Sequence, residues 1–473
     1  MASGENVLII MSDEHQARAL GAAGNASVQT PNLDALAGRG ARFTKCWTPS
    51  PICVSARGSL ATGRWVHEIG TWHSAQPYDG SIRGWAHEAR DAGREVASIG
   101  KLHYSGPQDD HGFTETIAPM WVAGGLGWVQ GLPRRDRLPY PEAAEMAGGV
   151  GVGHTSYTRY DHRVTERAVE WIRGHQHADD PWVLFVSFVA PHYPLSAPED
   201  FSARFDGIEI DPPEIPQQDI DHPAVQAMAD FFGYHRYFDE ASTVAGRRAY
   251  HSLVSFLDSN VGRVLAALDD TDATDSTRVV YTSDHGEMEG NRGLWGKSYM
   301  YRDSVDIPLI VAGPDIDPGS VVETNANLID VHASVLDTLG ANAMRDLDRG
   351  PGVSLWEQAT NGLERPAFSE YHDGGSITGT FAVRQGDSKL VHHEGHRPEL
   401  FDVAADPDEL DDVFDHSAHT ATLDDAYEVL ASIVDTAKVD AQAFASQEQL
   451  IERLGGRAAL GDHLRFNHTP VPR

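Results

Sequence analysis

The pattern of apolar runs predicts an α/β protein, a β-sheet covered on both faces by helices and joined to a smaller α+β unit. Short β-branched or apolar runs alternate with helical stretches over most of the chain, which is how a sheet with helices on both faces is written in sequence. Acidic or imidazole residues stand directly after several of those runs, where the carboxyl ends of parallel strands gather ligands. From about residue 364 the texture changes to hairpin-like and helical segments. With 473 residues the chain can bury a large core. The expected division is residues 1–363 as a large α/β domain and residues 364–473 as a smaller C-terminal α+β domain ending in a tail.

The elements follow in order. "NVLIIM" at 6–11 reads as a buried strand, and "TPNLDALAGRGARF" at 30–43 as a helix with Pro in its first turn and Gly at its end. "EVASIG" at 95–100, "WVLFVSFV" at 182–189, "RVVYTSD" at 278–284 and "IPLIVAG" at 307–313 continue the strand series. "AYHSLVSFLDSNVGRVLAALDD" at 249–270 has the spacing of a long amphipathic helix. Segments 104–160 and 206–248 are rich in Gly, Pro and aromatic residues and read as long functional or oligomer-contact loops. In the last part, "FAVRQGDSKLVHH" reads as a hairpin with a Gly-Asp turn, "ELFDVAADPDEL" as a strand and turn, and 422–455 as helical.

Charge narrows the function classes. Asp and Glu number 70 against 37 Lys and Arg, a formal charge of −33, and no basic run is present, so nucleic acid is not an expected partner. The same field repels small anions, so an anion site needs its own cluster of positive groups or a metal. The N-terminus carries no signal-peptide pattern, and no run approaches the ~18 apolar residues of a membrane span. A cytoplasmic protein without a membrane partner is expected. The two cysteines, Cys46 and Cys53, are too few for a disulfide framework, although one bridge between them stays open.

Asp13, Glu14, Asp284 and His285 supply three carboxylates and one imidazole from two strand ends, a donor set suited to Ca²⁺, Mg²⁺ or Mn²⁺ rather than structural zinc. Arg57, Lys101, His103, His192 and Lys297 are candidates for holding an oxyanion. The chain has five lysines, and two of them stand in the glycine-led turns "IGKLH" and "LWGKSY", where a compact ammonium suits a sulfate or phosphate oxygen. Around Cys53 several motifs fail. A tyrosine-phosphatase loop needs Arg where Ser59 stands, no G-x-S-x-G surrounds Ser55 or Ser59, and "GGVGVGH" at 148–154 has no preceding strand.

What remains, Cys53-Val54-Ser55-Ala56-Arg57 followed by "GSLATGR", resembles the C-x-P/A-x-R signature of the type I sulfatases of the alkaline phosphatase superfamily, with Ser55 at the third position. "VASIGKLH" at 96–103 is similar to their strand leading into G-K-x-H, and "YTSDHGEMEGNRGLWGKSY" at 281–299 to their S-D-H-G followed by G-K. The opening fifty residues and "ELFDVAADPDEL" extend the resemblance over nearly the whole chain. His285 stands where many arylsulfatases have Asn, a departure shared with the choline sulfatase and phosphonate monoester hydrolase branches. His73 and Ser74 stand where many relatives carry a supporting Asn.

The resemblance implies an alkaline phosphatase-like large mixed sheet flanked by helices. It also implies that Cys53 is oxidised by the formylglycine-generating enzyme to formylglycine, whose hydrate carries two hydroxyls. One attacks sulfur and displaces the alcohol; deprotonation of the other expels sulfate. In this reading Asp13, Glu14, Asp284, His285 and modified Cys53 bind one divalent ion, Ca²⁺ or Mn²⁺. Arg57 and His103 orient the hydroxyls, Lys101 and Lys297 neutralise sulfate oxygens, and His192 protonates the leaving oxygen or binds the sulfate edge. The expected activity is sulfuric ester hydrolysis of the arylsulfatase type on a small sulfate ester. The alternatives are a phosphonate monoester or phosphodiester hydrolase on the same scaffold, and a catalytically silent binding protein with unmodified Cys53. A homo-oligomer is expected, with the aromatic loops and the tail "LRFNHTPVPR" as contacts; Trp121, Trp128, Tyr140 and Tyr157 are candidates either for stacking on a leaving group or for packing.

Overall fold

The computed structural model describes residues 5–178, 180–217, 220–339, 350–463 and 469–472. Its centre is an eight-stranded sheet: β1 (Asn6–Asp13), β2 (Ala41–Phe43), β3 (Glu95–Lys101), β4 (Glu115–Met120), β5 (Trp182–Pro191), β6 (Thr277–Ser283), β7 (Leu309–Ala312) and β8 (Ser320–Val322). The spatial order is β8-β2-β7-β6-β1-β5-β3-β4. β7 runs antiparallel to both its neighbours, β6 and β2, and the remaining pairs are parallel, so the sheet is mixed.

The strand alternation feeds two cores. Leu8 and Ile10 point to one face, and Val7, Ile9 and Met11 to the other. Against the first face lie α1 (Pro31–Gly38), α3 (Ser156–Gly174) and α5 (Glu240–Asp269), through residues such as Leu33, Val164 and Phe256. Against the second lies α2 (Cys53–Thr62), through Ala56 and Leu60. Burial on both faces explains why β1 and β5 read as continuous apolar runs. A further helix, α4 (Pro223–Phe232), packs in a third cluster with the start of α5.

The C-terminal part is a four-stranded antiparallel meander, β9 (Ala367–Tyr371), β10 (Thr380–Gln385), β11 (Ser388–His393) and β12 (Glu399–Asp402), with α6 (Thr420–Ile433) packed on it and α7 (Thr436–Arg453) following. The expected hairpin is present: Gln385 pairs with Ser388, and the two-residue turn starts with Gly386 at φ 57°.

The structure departs from the sequence reading where partners distant in sequence decide. The helix expected over 30–43 stops at Gly38, because Ala41–Phe43 are drawn into the sheet between β7 and β8. The loop expected over 104–160 contains β4, an edge strand too exposed to show alternation, and the first turn of α3. The loop expected over 206–248 contains α4 and the polar start of α5, whose N-cap Asp239 accepts from the Ser242 amide at 2.8 Å. Cys46 and Cys53 are both free thiols. Of the tail, the described residues lie on their own chain: the Tyr157 hydroxyl donates to the Thr469 carbonyl at 2.8 Å, and Arg163 to that of Pro472 at 3.0 Å. No helix among the described residues is long and apolar enough to cross a membrane.

Candidate active site

Four neighbouring strands, β6, β1, β5 and β3, end at one edge of the sheet, and each delivers a polar residue there. Asp13 closes β1, Asp284 and His285 follow β6, His192 follows β5, and Lys101 closes β3. The register shifts between Met11 and Asp13 and again between Ile99 and Lys101, irregularities that re-aim strand ends next to functional sites. Glu14 (φ 67°) and His103 (φ 54°) turn out of line in the left-handed region. Gly100 is required: its φ is 108°, and a Cβ there would lie 2.1 Å from the Ser187 carbonyl oxygen. Facing this edge is the N-terminus of α2, with Cys53 as its first residue and Arg57 one turn later on the same side.

Arg57 organises the carboxylates. It is buried, and its guanidinium donates to Asp284 Oδ2 (2.8 Å), Asp13 Oδ2 (3.0 Å), the Lys101 carbonyl (2.8 Å) and Ser187 Oγ (3.0 Å). Lys101 Nζ adds a second cation at 2.6 Å from Asp13 Oδ2. With the Oδ2 atoms occupied, the Oδ1 atoms turn toward His285 Nε2, which lies 3.8 Å from that of Asp13 and 3.6 Å from that of Asp284. Cys53 Sγ is 3.1 Å from His285 Nε2 and 3.6 Å from Asp13 Oδ1. His285 Nδ1–H donates to the Gly286 carbonyl at 3.0 Å, so Nε2 presents its lone pair to the group. One ligand atom from each of Asp13, Cys53, Asp284 and His285 lies within 4.8 Å of the others, all buried. Two carboxylate oxygens, an oriented imidazole and residue 53 fit a divalent cation.

Electrostatics at this edge are set by burial and charge together. Burial pushes Asp13 up, but Lys101, His192 and Arg57 outweigh it and hold the carboxyl well below its usual range. Burial, then the Asp13 carboxylate, push the Cys53 thiol up, so the encoded cysteine stays protonated.

A second group stands beside the first. Lys297 Nζ lies 3.0 Å from Glu14 Oε2 and 2.8 Å from His192 Nε2. His192 Nδ1–H donates to the Tyr193 carbonyl at 2.7 Å, so its Nε2 is an acceptor for the lysine. Burial, then Lys297, hold His192 well below the usual imidazole range. Burial, opposed by Lys297 and reinforced by Glu287, raises Glu14 to about 8. The Glu14 carboxyl thus sits with Lys297 and His192, and one ligand atom from each of Asp13, Glu14 and His192 lies within 4.8 Å of the others. Burial, then Lys101 and Arg57, push His103 well down, and neither of its ring nitrogens has a hydrogen-bond partner among the described residues.

The charged and imidazole candidates and Cys53 meet here, and several residues not singled out support them. Asp161 on α3, fully buried, accepts from the Val189 and Ala190 amides (2.9 and 2.7 Å) and so fixes the end of β5 ahead of His192; burial, opposed by those two amides, raises it to about 7. A cavity of 130 Å³ opens from Cys53, Lys101, His192 and Lys297 and is walled by Trp128, Tyr140, Tyr157, Tyr193, Phe232 and Tyr234, with Glu142 and Thr469 also in its lining. Trp121 is not in the wall; it stacks on His111 at 5.3 Å. His73 Nε2 is 2.6 Å from Asp373 Oδ1, Ser74 donates twice to Asp373 Oδ2, and Trp128 stacks on the His73 ring at 5.9 Å. Ser55 faces away from the site, its hydroxyl donating to the Thr71 carbonyl at 2.6 Å. The aromatic wall had one signal in the sequence, the density of rings in segments without periodicity; Asp161 and Asp373 had none.

Comparison with known proteins agrees with this construction. The family model described as Sulfatase matches residues 5–341, and that described as N-sulphoglucosamine sulphohydrolase, C-terminal, matches residues 290–435. A choline-sulfatase of Rhizobium meliloti is 32% identical over 426 residues, covering 87% of this chain and 82% of the relative. Among solved structures, a chain in complex with its substrate D-glucosamine-2-N,6-O-disulfate superposes with a TM-score of 0.74 at 20% identity, over 91% of this chain and 97% of that one. The phosphonate monoester hydrolase of Agrobacterium radiobacter superposes at 0.71 and 24% identity, over 93% and 96%. These two share the fold. The family model covers most of the chain, and with the buried Asp13, Cys53, Asp284 and His285 group at the strand edge, the protein belongs to the sulfatase family.

Proposed function

We propose that the protein hydrolyses sulfate monoesters, with residue 53 converted to formylglycine and Asp13, Asp284, His285 and residue 53 holding Ca²⁺ or Mn²⁺. The observation that carries this reading is the convergence of those four side chains at the N-terminus of α2, with Lys101 and Lys297 beside them. A bound divalent ion would act there as a Lewis acid and lower the pKa of a hydroxyl on residue 53. The hydrated aldehyde supplies one hydroxyl to form the bond to sulfur as the bond to the alcohol breaks, and a second whose deprotonation releases sulfate and restores the C=O.

The chain's own groups do the rest. Arg57 keeps the Oδ1 atoms of Asp13 and Asp284 turned inward by occupying their partners. Lys101 and Lys297 supply the local positive charge that an anion needs against a net charge of −33. Glu14 anchors Lys297 in this reading rather than ligating the metal. In this reading Lys297, which donates to His192 Nε2, is the cation set beside the leaving oxygen, and His192 holds that ammonium in place. Six aromatic rings and Glu142 in the cavity favour a compact cationic or aromatic alcohol, which makes choline sulfate and an aryl sulfate the first substrates to try. Residues 1–363 carry the chemistry, and 364–473 buttress the pocket through Asp373.

Peptide mass spectrometry should find residue 53 lighter than cysteine by about 18 Da. With Ca²⁺ or Mn²⁺ present, kcat/KM for sulfate monoesters should exceed that for matched phosphonate monoesters and phosphodiesters. A reversed preference would assign the protein to the phosphonate and phosphodiester hydrolases, and an intact thiol in protein from the native host, with no turnover, would make it a binding protein.

A further inference from the structure

A second cluster of metal-ligating side chains lies outside the catalytic cavity, between α4 and the C-terminal sheet. His222 immediately precedes α4, His393 ends β11 and Glu399 begins β12; all three are buried. One ligand atom from each lies within 4.8 Å of the other two. His222 Nε2 lies 2.8 Å from the Arg397 carbonyl, which can only accept, so Nε2 carries the proton and Nδ1 the lone pair. That Nδ1 is buried and has no hydrogen-bond partner among the described residues. His393 directs Nε2 at Glu399 Oε2 (2.9 Å) and Nδ1 at the Thr380 hydroxyl (3.3 Å). The rings stack with centroids 4.1 Å apart. Arg397 pairs with Asp412.

Imidazoles tied through one nitrogen to a carbonyl or hydroxyl, with a ligand atom of each close to the other and to a carboxylate, are held as metal ligands are held. We propose that His222, His393 and Glu399 form a structural site for a zinc-type divalent cation. Two imidazoles and one carboxylate select Zn²⁺ or its transition-metal neighbours over Ca²⁺ and Mg²⁺, unlike the harder set at the strand edge. Closing on an ion with bonds of about 2.1 Å draws the three ligand atoms together by a turn of the His222 ring. Binding replaces the His393 Nε2–H hydrogen bond to Glu399, and the His393 proton moves to Nδ1, where Thr380 Oγ1 accepts it. The site would tie the entry of α4 to the β11–β12 hairpin. Because α4 ends in Phe232 and leads to Tyr234, the same tie steadies one wall of the catalytic cavity.

The test uses the full chain, stripped with chelator, incubated with Zn²⁺ and desalted, with retained metal counted by mass spectrometry and thermal unfolding followed with and without Zn²⁺. Asp284→Asn disables the strand-edge group, and His222→Gln and Glu399→Gln disable the second cluster, so the two sites are read separately whatever the activity. One zinc per chain should persist in Asp284→Asn and be lost when His222→Gln or Glu399→Gln is added to it. Zn²⁺ should raise the unfolding midpoint of the wild type and of Asp284→Asn by about 3 °C or more, and leave that of Asp284→Asn/His222→Gln unmoved. Co²⁺ bound to Asp284→Asn should give the visible bands of a tetrahedral nitrogen and oxygen site, a readout that stands if the His222 variant fails to fold. Zinc retained by Asp284→Asn/His222→Gln, or none retained by Asp284→Asn, overturns the proposal.

Discussion

At the strand edge, buried charges are held by other charges, Asp13 and Asp284 by Arg57 and Asp13 again by Lys101, while the Glu14 carboxyl accepts from Lys297. At the cavity wall the working surface is aromatic, and behind it His73 Nε2 lies 2.6 Å from Asp373 with Trp128 stacked on the histidine ring. The edge comes from neighbouring strands and one helix of the central sheet, whereas the wall is collected from segments far apart in the chain. A buried charge network has one low-energy arrangement, because losing a partner leaves a desolvated charge. A wall of rings can re-pack. Damage to the edge should therefore appear in kcat, and damage to the wall in KM and in the choice of alcohol.

The largest effect tests that division at its centre. Cys53→Ala should lower kcat/KM for an aryl sulfate by about 10⁴-fold or more, and a residue within tenfold of wild type would break the assignment of the edge to chemistry. Chelation should abolish turnover to a similar extent, with recovery on adding Ca²⁺ or Mn²⁺ measured in the same assay. Next, Lys297→Ala should reduce kcat by about 10²- to 10³-fold, since it removes a preorganised cation and the hydrogen bond to His192. On the wall, Asp373→Asn should raise KM by about tenfold with kcat nearly unchanged; an equal fall in kcat would mean that wall and edge are one unit.

The smallest effect concerns stability. Asp161 is raised from 3.8 to about 7 in the folded chain by burial, against the two amides it accepts from. For a group whose folded pKa is raised, the stabilising contribution is complete below the unfolded pKa and is lost as pH rises through the folded one. Wild type should therefore lose stability relative to Asp161→Asn between about pH 4 and pH 7, read as the difference between their unfolding midpoints. A difference that does not change with pH would show that Asp161 is ionised throughout.

Legibility in the sequence followed the same division. The edge could be read because its chemistry needs charged residues directly after buried strands, and because lysine is rare enough in this chain for Lys101 and Lys297 to stand out. β1, β3, β5 and β6 were visible as apolar runs for the same reason that they are central. β4, exposed at the sheet edge, and the polar beginning of α5 carried no such pattern. Asp161 looks like any acidic residue on a helix until β5 brings two amides to it, and Asp373 finds His73 across 300 positions. Trp121 and Trp128 have equal claims as neighbours in one aromatic segment; the fold gives one to His111 and the other to the cavity.

The burial of Cys53 also sets a clock. Its side chain is closed in by Asp13 from the same end of the chain and by Asp284 and His285, which are made more than two hundred residues later. Any enzyme that oxidises this thiol must reach it while that wall does not yet exist. At ordinary ribosomal speeds of about 5–20 residues per second, the interval lasts on the order of ten seconds to a minute. If residue 53 is converted as proposed, maturation and folding compete for the same seconds, and the fraction of competent molecules is set during synthesis.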